Sequence, residues 1–301
     1  MHGKNRKYLV YLSVSSSGPA QGEIIKINRN IFRTRSGANL KYTTSDCDWF
    51  YSHAHTEPYT ENQTTKHIRL INPTSTDFAY ALTESVLFLK QYIDEPDWDG
   101  GGIVLIYAGH GLKNTGALVF TNKCLPLEAR DFLSFLATEM PRSNRRLRID
   151  ALIDSCYSGG FIANLIYAAH HEFGDSMFPC TLFAASLPDE PAVESDKFKH
   201  GVFTYSYIQG DQFPSFTQPR WLLLIKVFLY TKLGKDKCRL IEGGVNYLTN
   251  GRQNSMEYEN GHFEVHSKGS FRIESEQYNI SDIYSSIKKA RDMGRSESFC
   301  I

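Results

Sequence analysis

The sequence predicts an α/β fold, with a mostly parallel central sheet flanked by helices and with C-terminal elaborations. Two apolar, β-branched runs, 103–108 and 149–153, each stop at a small-residue turn, and such runs are typical of buried parallel strands. Runs of this kind alternate with helical patterns up to about residue 210, as they do in helix-flanked parallel sheets. Hydrophobic residues make up 41% and charged residues 22% of the chain, so a sizeable core can form.

The alternation begins near the N-terminus. Residues 8–14 form the predicted first strand, and the stretch 15–44 has no sustained period, so it holds either a hairpin or a long loop beside the site. A short helix is predicted from Ser45, where a serine precedes two acids. Strand two is predicted at 67–71, and a helix with apolar residues at helical spacing at 76–93.

Strands three and four are the two runs named first, and the remaining elements fill the spaces around them. A short extra strand is predicted at 117–120, helices at 127–139 and 161–171, strand five at 181–186, and a helix from 201. The C-terminal third contains a predicted apolar helix near 221–233, a loop at 251–254, a strand at 263–265 and a polar helix at 281–293. One domain spans 1–301, with its core at about 8–265 and a helical tail at about 270–301.

Charge and cysteine content exclude several classes of protein. The formal net charge is zero, which gives no electrostatic basis for nucleic acid or an anionic membrane as the main partner. Six widely spaced cysteines with no C-x-x-C pair indicate free thiols in a reducing compartment. The apolar run at 8–14 predicts a strand rather than a signal peptide, and no run reaches membrane-spanning length. We therefore expect a cytoplasmic protein with no membrane span.

Each of the two strand-ending turns carries one reactive group. His110 lies between two glycines, and Cys156 follows Asp154 and Ser155. The carboxyl ends of parallel strands share one edge of the sheet, so we expect the imidazole and the thiol to lie within reach of each other. Cysteine attacks carbonyls as the thiolate, which a neighbouring histidine generates as base and then serves as acid. The backbone N–H groups of Gly111 and Cys156 are the candidate donors of an oxyanion hole.

The same residues carry a family resemblance. Tyr107–Gly111 (YAGHG) and Asp154–Gly160 (DSCYSGG) resemble the paired signatures of caspase-like cysteine peptidases, and they are closer to metacaspases and bacterial caspase-like proteins than to animal caspases. His110 and Cys156 are 46 positions apart (156 − 110), near the roughly 50 of caspases. Segments at 184–204 and, more weakly, at 251–254 are also similar to the family, so that the resemblance covers about 65–265.

The resemblance implies a caspase-like three-layer fold and a cysteine endopeptidase. Cys156 would be the nucleophile, His110 the general base and acid, and the intermediate a thioester acyl-enzyme. The position two before the cysteine lines the S1 pocket in this family, and Asp154 stands there. A carboxylate in a partly desolvated pocket favours a cation, so we expect cleavage after Arg or Lys.

Several features remain open at this point. The second S1 residue is not fixed, with Arg33, Arg35, Asp46 and Asp48 as candidates. The loop after strand five is short, so cleavage into two subunits is not expected, and a partner, a ligand or calcium is left as the trigger. No metal site or cofactor is expected, because the acidic loop at 189–196 is more typical of solvated side chains than of a calcium loop. The family resemblance implies a protein substrate, such as a pore-former or regulator in bacterial defence or cell death.

Three alternatives stand beside this interpretation. Asp154 could cap the following helix or brace the loop instead of lining S1. The chain could be a catalytically silent caspase-like scaffold that binds a partner. A thiol hydrolase of the α/β-hydrolase type would need a glycine where Asp154 stands and a late histidine, for which His262 and His266 are the candidates.

Overall fold

The chain, with its alternating strands and helices, folds into a sheet that has helices on both faces. The computed structural model describes residues 6–18, 24–27, 30–33, 40–54, 63–95, 98–121, 126–140, 147–173, 177–195, 199–210, 253–259, 262–266, 270–274 and 284–285. The described strands are β1 (Arg6–Ser15), β2 (Ile24–Ile27), β3 (Asn30–Arg33), β4 (Gln63–Ile71), β5 (Trp98–Gly111), β6 (Leu118–Val119), β7 (Leu147–Ser155), β8 (Met177–Ala184), β9 (Glu194–Ser195), β10 (His200–Gly201), β11 (Ser255–Glu259), β12 (His262–His266) and β13 (Ser270–Glu274). The described helices are α1 (Thr43–Ala54), α2 (Ser75–Lys90), α3 (Ala129–Glu139), α4 (Ser158–Ala168) and α5 (Val202–Gly210), and a π-helical turn (Ala169–Phe173) follows α4.

The central sheet is mostly parallel, as predicted. Its strand order is β13-β12-β11-β8-β7-β5-β1-β4, with β6 paired to β5. The pairs β4–β1, β1–β5, β5–β7 and β7–β8 are parallel. Strands β11, β12 and β13 continue the sheet in antiparallel pairing beyond β8. The five predicted strands therefore form one parallel block, whose carboxyl ends lie along one edge.

The remaining predictions differ in outcome. The hairpin alternative for 15–44 is correct, because β2 and β3 pair as antiparallel strands. The stretch 270–274, where the helical tail was expected to begin, forms strand β13 instead. The apolar helix at 221–233 and nearly all of the helix at 281–293 lie outside the described residues.

Helix α2 shows how local sequence sets the boundaries of an element. Thr74 precedes the helix in an extended conformation and accepts from the Asp77 backbone N–H, while the Asp77 carboxylate accepts from the Thr74 N–H, so the two form a capping box. The buried side chains of the helix follow at helical spacing: Phe78, Ala81, Leu82, Ser85, Val86 and Leu89. This stripe packs α2 against the sheet.

The core lies on both faces of the sheet. The larger cluster contains Leu105 of β5 and Ile153 of β7, together with apolar side chains of α2, α3 and α4. The smaller cluster contains Ile106 and Leu152, the next residues in alternation, together with side chains of α1 and α5. Since side chains alternate along a strand, Asp154 lies on the same face as Leu152, beneath α1 and α5. No helix in the described part is long and apolar enough to cross a membrane.

Candidate active site

The strand register brings the two reactive turns together. Ala108 is paired with Asp154 and Gly109 with Ser155 in the parallel ladder of β5 and β7. One residue further, His110 and Cys156 are neighbours at the carboxyl edge, because adjacent strands are about 4.8 Å apart. The turns are also in contact, since a Cβ on Gly111 would collide with the carbonyl oxygen of Cys156. Only glycine permits this approach, so the flanking glycine is a steric requirement.

The imidazole of His110 is held by the chain that follows β1. One ring N–H donates to the backbone carbonyl of Ser17, and Gly18 lies against the ring with a left-handed φ of +84°. Burial lowers the pKa of His110, and the hydrogen bond to Ser17 opposes that change in part. The imidazole is therefore neutral at neutral pH, with one nitrogen protonated toward Ser17 and the other able to accept a proton.

The thiol of Cys156 lies at the start of the turn into α4. Tyr157, the residue before this helix, has a left-handed φ of 58° and donates its N–H to the Glu190 carbonyl, 2.9 Å away. The thiol itself donates to the carbonyl of Ala192, with Sγ and O 3.6 Å apart. Burial raises the pKa of the Cys156 thiol, and the charges of Asp154 and Glu194 add to this. The resting pair is thus a neutral thiol beside a neutral imidazole.

Asp154 is buried beneath the first turn of α5. Its Oδ2 accepts from the N–H of Thr204, 3.1 Å away, and from the hydroxyl of the same residue. Burial, with Asp46 nearby, raises the pKa of Asp154 to about 7. Asp154 is therefore bonded to the start of α5 and not to α4, the helix that follows it in the chain. Oδ1 receives no hydrogen bond from the described residues.

Asp46, one of the four candidates for a second pocket residue, lies beside Asp154. It sits in the first turn of α1, where His200 Nδ1 is 2.6 Å from its Oδ1 and the Gly201 N–H donates to its Oδ2 at 3.1 Å. Burial raises the pKa of Asp46, although its partners His200 and Gly201 lower it. Two buried carboxyl groups therefore meet beneath the edge that carries Cys156.

In the described part of the chain, none of the other candidates for the second S1 residue lies beside Asp154. Asp48, on the same helix, pairs with the guanidinium of Arg69 at the surface. The side chains of Arg33 and Arg35 lie outside the described part. Asp46 and Asp48 are both aspartates near the start of one predicted helix. Which of them lies beside Asp154 depends on how α1 packs on the sheet, which the sequence does not show.

The loop after β8 is fastened by the C-terminal segment. Glu190 is only 5% exposed, and its carboxylate accepts from the backbone and side-chain N–H groups of Asn254 at 2.8–3.0 Å. Gln253 accepts from the Val193 N–H and donates to the Ala185 carbonyl. The expectation that this acidic loop is solvated is therefore wrong at Glu190. The loop presents its Ala192 carbonyl to the Cys156 thiol because both ends are fixed.

Other candidate ligands are placed away from the thiol or are already bonded. Glu194 accepts from the backbone N–H groups of Lys41 and Tyr42 at 3.0 and 3.2 Å. Among the described residues, no group of three or more His, Cys, Asp or Glu side chains could hold a metal ion. The late histidines His262 and His266 belong to β12, which is separated from β7 by β8 and β11. A thiol hydrolase with a late histidine beside Cys156 is not supported by this order.

No protein-family model matches the sequence, and no curated protein matches it significantly.

Proposed function

We propose that the protein is a cysteine endopeptidase of the caspase-like class, which cleaves protein substrates after Arg or Lys. The observation that carries this proposal is the position of His110 beside Cys156, above two buried carboxyl groups of Asp154 and Asp46. A nucleophile and a base at one sheet edge are the minimum for acyl transfer. A buried pair of carboxyl groups beneath them, which a bound cation would ionise, matches a cationic side chain on the substrate.

The reaction would proceed by transfer of the thiol proton to the neutral imidazole of His110. The resulting thiolate attacks the scissile carbonyl, and the N–H groups of Gly111 and Cys156 stabilise the oxyanion. The imidazolium then gives its proton to the leaving amine, which leaves a thioester on Cys156. A water molecule, deprotonated by the same imidazole, hydrolyses the thioester and restores the thiol.

The preference for Arg or Lys follows from the electrostatics of the pocket. Burial raises the pKa of both Asp154 and Asp46, so the two carboxyl groups resist carrying two negative charges. A bound cation favours the ionised form of the two carboxyl groups. The positive charge of the cation and the negative charge of the carboxylates then compensate each other. The planar guanidinium of arginine offers several donors at once, and Oδ1 of Asp154 can accept one of them.

The wider setting belongs to the same proposal. We place the chain in a three-layer caspase-like domain, acting in the cytoplasm on a protein such as a pore-former or regulator. The thiol hydrogen bond to Ala192 favours a resting state that a partner, ligand or calcium ion relieves. The same bond also favours the alternative, a catalytically silent scaffold, because the thiol donates to a carbonyl and not to the imidazole.

The experiment is a fluorogenic peptide series that differs only in the residue before the scissile bond, with Arg, Lys, Asp, Gln and Ala. We expect cleavage after Arg and Lys, and its loss in Cys156→Ala and in His110→Ala while both variants keep the wild-type melting temperature. Cleavage confined to acidic or small apolar residues would contradict the assigned specificity. Equal rates in wild type and Cys156→Ala would contradict the assigned nucleophile.

A further inference from the structure

A side chain after strand β4 lies behind the histidine. Asn72 follows Ile71 with a left-handed φ of 50°. Its Oδ1 accepts two hydrogen bonds from Ser17, from the backbone N–H and from the hydroxyl, both at 2.9 Å. The carbonyl of Ser17 is the group that accepts from the ring of His110. Asn72 is therefore linked to the imidazole through one residue.

Asn72 is itself held firmly. Its N–H donates to the carbonyl of Ser15 at 2.7 Å, and its carbonyl accepts from the Thr121 hydroxyl at 2.6 Å. The residue is exposed, so its side chain does not contribute to core packing. Its amide oxygen binds Ser17, at the point where the chain leaves β1.

We propose that Asn72 is a positioning residue for His110, which it orients by fixing the peptide of Ser17. Other contacts also hold this residue, since its carbonyl accepts from the Leu40 N–H at 3.4 Å and the next residue, Gly18, lies on the imidazole. Without the amide oxygen, the Ser17 N–H and hydroxyl lose their shared acceptor, and the Ser17 carbonyl is held less tightly, by the Leu40 N–H and the His110 ring. The consequence for catalysis rests on the proposed function, whereas the effect on the histidine does not.

The carbonyl of Ser17 controls both the direction and the protonation of the ring. It fixes which ring nitrogen carries the proton, which leaves the other nitrogen as the proton acceptor. The carboxylate of Asn72→Asp would itself raise the pKa of His110, whereas Asn72→Gly adds no titratable group and leaves the neighbouring ones in place: the hydroxyl of Tyr107 donates to the His110 carbonyl, and the Cys156 thiol lies across the strand pair beside Asp154 and Glu194. A change at His110 in Asn72→Gly would report on the Ser17 contact.

The experiment compares two substitutions that both tolerate the left-handed backbone. Asn72→Gly keeps the backbone and removes the acceptor, whereas Asn72→Asp keeps an acceptor oxygen. Asn114→Gly is the matched control, because Asn114 is also exposed and left-handed, with φ 79°. Histidine-selective nitrogen NMR measures the tautomer and pKa of His110, and peptide hydrolysis measures kcat and KM, each beside a melting temperature.

We expect Asn72→Gly to mix the tautomers of His110 and to lower its pKa, because the Ser17 bond favours the charged ring. We also expect kcat to fall by about tenfold to 100-fold with KM unchanged, the scale of a displacement of about 1 Å. Asn72→Asp should keep the wild-type tautomer and most of kcat. Unchanged His110 signals in Asn72→Gly, or equal losses in Gly and Asp variants, would overturn the proposal. If the wild-type protein has no peptidase activity, that result would contradict the proposed function only. The NMR measurement would still decide whether Asn72 positions His110.

Discussion

Replacing Asp154 by asparagine should make the protein more stable and less active. The carboxyl has a pKa of about 7 in the folded chain, because burial and Asp46 disfavour its charged form, against about 3.9 in an unfolded chain. Between these values the unfolded chain releases a proton that the folded chain keeps. Stability therefore falls as the pH rises from about 4 to about 7, and it stays low above that range.

The size of the effect follows from the same shift. At about 1.36 kcal/mol per pKa unit, the buried carboxyl costs about 1 to 2 kcal/mol at pH 5 and about 4 kcal/mol at pH 8. Asparagine is neutral at both values, and its amide oxygen can still accept from Thr204. Asp154→Asn should therefore gain roughly those amounts of unfolding free energy, and it should lose cleavage after Arg and Lys because the negative charge is gone.

Urea unfolding of wild type and Asp154→Asn at pH 5 and pH 8 measures the gain. Asp77→Asn is the matched control, for which the change in stability should have the opposite sign. Backbone and side-chain hydrogen bonds from Thr74 lower the pKa of the exposed Asp77 carboxylate. Its contribution is present above the unfolded pKa and is lost on acidification, so Asp77→Asn should weaken the protein more at pH 8 than at low pH. The reasoning is refuted if Asp154→Asn is less stable than wild type at pH 8, or if its gain is the same at both pH values.

Three further outcomes are expected. Gly111→Ala should reduce kcat on the order of 100-fold, because its Cβ would collide with the Cys156 carbonyl; near-wild-type peptide hydrolysis would contradict this. Alkylation of Cys156 by iodoacetamide should rise with pH only above the ordinary thiol range of about 8.5, since burial raises the pKa of the thiol; a plateau already reached at pH 7 would indicate a preformed thiolate. Asn254→Ala should cost at least about 2 kcal/mol of unfolding free energy, because it removes the side-chain donors of the buried Glu190; an unchanged urea midpoint would count against that role.

The parts of the site that follow from local sequence could be predicted. The apolar runs ending at His110 and Cys156 identify two parallel strands, and the common edge of such strands brings the two turns together without any knowledge of register. The glycine after His110 was predicted as a backbone donor, and the structure adds a steric reason, because the Cys156 carbonyl occupies the space of a Cβ.

The parts that depend on how distant segments pack could not be predicted. The distinction between Asp46 and Asp48 depends on the rotation of α1 on the sheet. Asn72 meets Ser17 across 55 positions, through a contact that no sequence pattern marks. The antiparallel extension of β11 and β13 was missed because these short strands are recognisable mainly by their pairing with β8 and β12.

The most direct test of the central claim is a proteome-wide comparison of new protein N-termini produced by the wild-type protein and by Cys156→Ala. We predict termini that follow Arg or Lys and that occur only with the wild type. Identical sets of fragments from the two proteins would contradict the assignment of a cysteine endopeptidase.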